Sequence, residues 1–182
     1  MMAVSLSLVV AGAVVMLMIQ AAMANLQGFA AATVEESAYF LQATIIRCLR
    51  SMSSNQGLTP DYSSSFTDSN GNLLGYQAAF VFCRNTNGTY TTEQIRFDSA
   101  SGKVIYTPDV SNPTKQIVWM SNSRAVALRE LCFAPSFNPD GSLNSSLVNV
   151  RFQMDDNGYA QHNPINNPGN IYRSFSTQMR SD

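Results

Sequence analysis

His162 and the three cysteines, Cys48, Cys83 and Cys132, are the side chains of this sequence best suited to catalysis or metal binding. A serine or thiol nucleophile needs an imidazole to take its proton, so any such site would have to use His162. That histidine enters the run Asn163 to Asn170, NPINNPGN, with no evident orienting partner, and reads as a solvated loop residue. The cysteines show no C-x-x-C spacing, and with a single histidine they do not compose a usual zinc site. Asp68-Ser69-Asn70-Gly71-Asn72 has the opening rhythm of a calcium loop but lacks the bidentate glutamate that should close it. It reads as a turn, as does Asp155-Asp156-Asn157-Gly158. The expectation is no enzyme, no cofactor and no metal site.

Charge narrows the partners. The chain has 182 residues, 45% hydrophobic and 13% charged, with a formal net charge of -1. That balance offers no basic field to hold a phosphate backbone, so no nucleic-acid partner is expected. No polybasic run flanks the apolar segment to grip anionic lipid. The distribution of charge says more than its sum, because no Asp, Glu, Lys, Arg or His precedes Glu35. Asn87-Gly88-Thr89 and Asn144-Ser145-Ser146 match the short N-glycan acceptor pattern, which often occurs by chance.

The uncharged front, MMAVSLSLVVAGAVVMLMIQAAMA, is long enough to span a bilayer as a helix. Three readings compete: a cleaved secretory signal ending near Ala22-Met23-Ala24, a single-pass anchor, and an apolar helix that packs against copies of itself. A signal wants a basic residue ahead of its apolar run, and none is there. That absence leads to the expectation that a segment upstream has been removed and that Met1 is a processed N-terminus. From Asn25 to Met52 the helical pattern continues without proline. Val34, Ala38, Leu41, Ile45, Cys48 and Met52 recur at spacings of three and four, so they share one stripe. About 52 residues at 1.5 Å each give roughly 78 Å of helix, more than a membrane or a small domain requires. A stretch apolar all round is stable outside lipid only when buried on all sides, and other copies of the chain would supply that cover. Gly12 and Gly28 among many alanines would let helices approach closely. Val4, Ser5, Leu6, Val9, Gly12, Val14, Leu17 and Gly28 are the residues expected at that helix-core contact. Asn25 to Gly28 is the least helical spot in the run.

Beyond Leu58 the period changes. Strands are predicted at 77–84, 90–97, 103–107, 116–120, 126–133, 147–154 and 171–179, from alternating or β-branched runs. Asn87-Gly88, Ser101-Gly102, Asp140-Gly141 and Asn157-Gly158 supply turns. The fold class is therefore α+β: a long N-terminal helix packed on a mainly antiparallel sheet. Three segments follow, 1–28 as apolar filament core or membrane anchor, 29–54 as the amphipathic continuation, and 55–182 as a β-rich head. Phe80, Phe82, Phe97, Ile105, Trp119, Leu131, Phe133, Val150 and Phe152 are the expected core. Cys83 and Cys132 lie in predicted strands and are the expected disulfide, with a bridge from Cys48 to either strand as the rival.

An apolar N-terminus running into an amphipathic helix and then a small antiparallel head resembles the type IV pilin superfamily, pseudopilins of type II secretion included. Ala38-Tyr39-Phe40-Leu41 through Ile46-Arg47, Leu131-Cys132-Phe133, Val148-Asn149-Val150-Arg151-Phe152 and Tyr172-Arg173-Ser174-Phe175-Ser176-Thr177 are similar to segments of W-type minor pilins and J-type pseudopilins. The resemblance covers the whole chain. It implies cleavage by a prepilin peptidase just before Met1, methylation of that residue, and inner-membrane anchoring before assembly. It also implies a homo-oligomeric helical filament, an extracellular fimbrium whose heads set surface properties such as adhesion. The family usually carries a glutamate at the fifth mature position, where this chain has Ser5. That carboxylate is thought to neutralise a neighbour's terminal ammonium in an apolar core, where an unpaired charge is expensive. Ser5 cannot do so, which keeps open an alternative: a minor pilin or pseudopilin that primes or caps a filament and binds other pilins or cargo. A membrane-anchored periplasmic enzyme or ligand-binding protein is the third reading.

Overall fold

Residues Met2–Ser51 form one uninterrupted helix, α1, of 50 residues, about 75 Å long at 1.5 Å per residue. A computed structural model describes residues 2–51, 61–67, 73–84, 90–123, 125–156 and 170–178. Asn25 and Gly28 continue the helix. From Val34 onward one side of α1 is buried: Val34, Ala38, Leu41, Ile45 and Leu49 are fully enclosed. The expected stripe therefore holds up to Ile45 and then continues through Leu49, with Cys48 at its margin and only partly buried. A step of four in place of three keeps the stripe straight along a helix of 3.6 residues per turn. Met52 lies outside the described residues.

Among the described residues the head is built from eight strands, all paired antiparallel: β1 (Asp61–Thr67), β2 (Leu73–Arg84), β3 (Tyr90–Asp98), β4 (Lys103–Thr107), β5 (Ile117–Ser121), β6 (Ala127–Phe137), β7 (Leu143–Asp155) and β8 (Ile171–Gln178). The spatial order is β5-β4-β3-β2-β6-β7-β8, with β1 beside β2. The fold is thus α+β, as the pattern of the sequence requires. Seven strands correspond to the seven predicted runs. β1, DYSSSFT, was not among them, because three successive serines hide any apolar alternation. Gly102 and Gly141 adopt φ of +62° and +82°, the left-handed backbone that their two turns demand. Asn87-Gly88, Asn157-Gly158, His162 and most of Asn163 to Asn170 lie outside the described residues, as do the side chains of Phe80 and Phe82.

Two half-sheets meet on β2. One edge of β2 takes β1, from Asp61 opposite Phe80 to Thr67 opposite Leu73. The other edge takes β3 from Ala78 to Arg84, and then β6 at the single register pair of Tyr76 with Phe133. Beside that junction Gly75 has φ +152°, and a Cβ there would stand 2.9 Å from the Phe133 carbonyl oxygen. Only glycine lets the two backbones come this close.

The core lies between α1 and one face of these sheets. Val148, Val150, Phe152 and Met154 alternate inward along β7, and Leu131 and Phe133 do so on β6. With Ile95, Phe97, Val104 and the helix stripe they form one continuous apolar cluster. Phe152 meets Phe175 edge to face at 6.4 Å, and Tyr106 stacks on Trp119 at 4.9 Å with its hydroxyl donating to Glu93 at 2.5 Å. Phe97, Ile105, Leu131, Phe133, Val150 and Phe152 are buried as expected, while Trp119 is only partly covered.

The expected bridge between Cys83 and Cys132 is not formed. Cys132 carries a free thiol. Its Cβ lies against Gly75, 3.0 Å from where a side chain would begin, while Cys83 stands eight residues further along the same strand, opposite Thr91. Eight residues of extended chain span roughly 26 Å, far beyond the ~7 Å that a disulfide tolerates between Cα atoms. Both cysteines do lie in strands; the spacing of residues along the chain gave no access to the register that separates them.

Candidate functional site

Between Val10 and Thr33 no residue of α1 is buried. Leu17 is 65% exposed and Phe29 74%, with Val14, Met18, Ile19, Met23 and Leu26 similarly open. This is a far larger contiguous apolar surface than a monomer in water leaves uncovered. The helix is long and apolar enough to cross a membrane. Of the residues expected at the helix-core contact, Gly12, Val14, Leu17 and Gly28 lie on this open rod, and nothing stands within 4 Å of a Cβ built on either glycine. Val4, Ser5, Leu6 and Val9 belong to the same helical backbone, but their side chains, like Met1, lie outside the described residues. Thr33 and Ser37 donate their hydroxyl protons to the carbonyls of Phe29 and Thr33, each at 2.8 Å, so they add little free polarity to the rod's upper end.

A second cluster fixes how the rod leaves the head. Arg173 on β8 pairs with Glu35, donates from Nη1 to Gln42 Oε1 at 3.2 Å, and lies over the Tyr39 ring at 4.1 Å from its centroid. Glu35, Tyr39 and Gln42 are spaced i, i+4, i+7, one helical face next to the buried stripe. The sequence offers that spacing, but nothing in it indicates a partner 138 residues from Glu35. Arg173→Ala should lower stability by about 1–2 kcal/mol, because it removes a cation–π contact and a partly screened ion pair together. Arg173→Lys should recover only part of this, since an ammonium cannot stack and fork in the same pose. A double-mutant cycle with Tyr39→Leu, read by thermal unfolding, isolates the ring contact at about 0.5–2 kcal/mol.

The outer face of β6 and β7 carries a polar cluster that is self-contained. Arg151 Nε donates to Glu130 Oε1 at 2.6 Å and Arg129 Nε to Asp155 Oδ2 at 2.8 Å. The Cys132 thiol donates to Glu130 at 3.6 Å. Burial, together with the Glu130 carboxylate, pushes that thiol up from 9.0 to about 12. The group is held protonated by the fold, so its contribution to stability is complete below pH 9 and is lost as the pH rises from there toward 12. A thiol that is not ionised is a poor nucleophile. At pH 8.5 iodoacetamide should therefore modify Cys132 in the native chain at least about tenfold more slowly than in urea, read by peptide mass.

The metal-ligating side chains of the described residues are dispersed. No group of three or more His, Cys, Asp or Glu is placed to hold a metal ion among them. Asp98, Asp109 and Asp140 each fold back on a nearby serine, whose hydroxyl holds the carboxyl below its ordinary range. They are turn residues, bonded to Ser101, Ser111 and Ser142. No protein-family model matches the chain, and neither a curated protein nor a solved structure does. What the structure gives is an architecture: a long, bare, apolar N-terminal helix packed at its far end on an antiparallel sheet, as in pilins.

Proposed function

We propose that this chain is the structural subunit of an extracellular type IV pilus-like filament, anchored in the inner membrane before assembly and polymerised through its N-terminal helix. One observation carries the reading: from Val10 to Thr33 α1 carries no charge and no buried residue, and its charge-free part is too long for a bilayer alone. Residues 2–34 rise about 50 Å, whereas the hydrocarbon core is about 30 Å thick. Lipid covers part of that length and leaves the rest, Leu26 and Phe29 among it, in contact with headgroups or water. Sister helices packed side by side cover all of it. They give the small residues Gly12 and Gly28 a role in close approach.

Negative-stain microscopy of the native material, set beside a variant that lacks residues 1–28, tests this. Fibres are expected from the full chain and dispersed heads from the truncated one. Fibres from the truncated chain would exclude the helix-core arrangement, and full-length protein found only as single copies in detergent would exclude the filament.

Ser5 favours a second reading, a minor pilin or type II secretion pseudopilin that primes or caps a filament and binds partner pilins or cargo. A subunit at the tip has no neighbour ahead whose ammonium a glutamate would have to neutralise. Stoichiometry separates the two: a main subunit is abundant along the fibre, a primer scarce.

A further inference from the structure

A groove runs between α1 and the β5 side of the head. Thr33, Glu36, Ser37 and Phe40 line it on the helix, Met120, Ser121, Ser123 and Val126 on the head, and its volume is about 410 Å³. With the two helix hydroxyls turned to their own backbone, the Glu36 carboxylate is the charged group on the helix wall. Eleven residues further along α1 stands Arg47, and three beyond it Arg50; all three side chains are exposed. A step of eleven residues returns to within ~20° of the same helix face. None of the ion pairs among the described residues uses Glu36, Arg47 or Arg50. Within one chain Glu36 and Arg47 cannot meet, because a straight helix holds them about 16 Å apart.

We infer that the groove receives Arg47 of a second, parallel copy displaced by eleven residues along the helix axis, so that Glu36 and Arg47 pair between copies at every step. The inference rests on the proposed side-by-side packing of the helices and adds what that packing lacks, a register. Two uncharged rods can slide past each other by a turn and still bury apolar surface against apolar surface. A charge pair favours the offset that joins Glu36 to a guanidinium, since elsewhere the carboxylate is left without its partner. The expected stagger between neighbours is about 16 Å, and Arg50 flanks the pair. An antiparallel pair would also bring Glu36 to Arg47, but it sends the two rods in opposite directions and leaves both uncovered.

The test uses filaments of the full chain with Arg47→Lys, treated with a carbodiimide, which joins a carboxylate to an amine only where the two touch. The expected product is an amide between Glu36 and the lysine at 47, identified by mass spectrometry. The straight helix excludes that link within one copy. Because a parallel displaced contact is open, the products should form a ladder of trimers and longer species, whereas a closed antiparallel contact stops at dimers. Separately, Glu36→Arg or Arg47→Glu should lower sedimentable filament at least about tenfold, and the double reversal should return it to within about threefold of wild type. Unchanged melting of each variant shows that the exposed substitutions leave the fold intact. Intact filaments with no link between 36 and 47, a ladder that ends at dimers, or reversals without effect would each overturn the register while leaving the filament standing. A wild-type chain that makes no filaments would overturn both.

Discussion

A lysine at Val14 is expected to abolish assembly, and a lysine at Ser99 to leave it intact. Val14 lies at the middle of the uncharged rod, half-exposed in the single chain. Lysine is a good helix former, so α1 itself persists. The cost arises only when the rod is covered. A cation at the centre of an apolar span costs about 2.5–3.5 kcal/mol on insertion scales. Each 1.4 kcal/mol is tenfold in an equilibrium, so the loss is about two orders of magnitude or more for each copy added. Ser99 sits exposed in the turn between β3 and β4, where a substitution stays within about 0.5 kcal/mol. Sedimentable filament mass from the two variants checks this, and equal effects at the two positions would contradict burial of the rod by its neighbours.

Phe152→Ala should cost about 3–5 kcal/mol, the toll of truncating a fully buried aromatic ring. Phe152 stands in the middle of β7, opposite Leu131 on β6 and Arg173 on β8, with the Phe175 ring against its edge. The cavity would open under the helix stripe, where strands and helix share one cluster, so it cannot close by the shift of a loop. For a chain of this size the midpoint of thermal unfolding should fall by about 6–20 °C. Ser174→Ala, on the exposed face of the adjacent strand, should move it by no more than about 2 °C, given a change within 0.5 kcal/mol. Comparable shifts for the two would place the core elsewhere.

The periodicities that could be read in the sequence were those set by local burial. The stripe from Val34 to Ile45 emerged because each of its members faces the same sheet, and β3, β4, β6 and β7 emerged because residues such as Val148, Val150, Phe152 and Met154 alternate inward. β1 did not, since pairing along the edge of β2 satisfies its backbone and asks little of Ser63 or Ser65. Features set by register stayed hidden. The distance between Cys83 and Cys132, and the need for Gly75 at the Tyr76–Phe133 junction, depend on how β2 lies against β6, which no spacing along the chain encodes. The Arg173 cluster is likewise a contact of the folded state. Glu35, Tyr39 and Gln42 declare a face, and only the placement of β8 supplies what meets it.

The split of the head at β2 has a mechanical consequence. α1 is clasped chiefly by β8, with β7 next to it, while β3, β4 and β5 join the rest through β2. A pull along the rod therefore enters by way of Arg173 and the strand that carries it, crosses the long β7 ladder in shear, and reaches β6 with most of its force already shared among backbone hydrogen bonds. The far half of the sheet carries no backbone rung of this load path and meets it only through β2 and the shared apolar core.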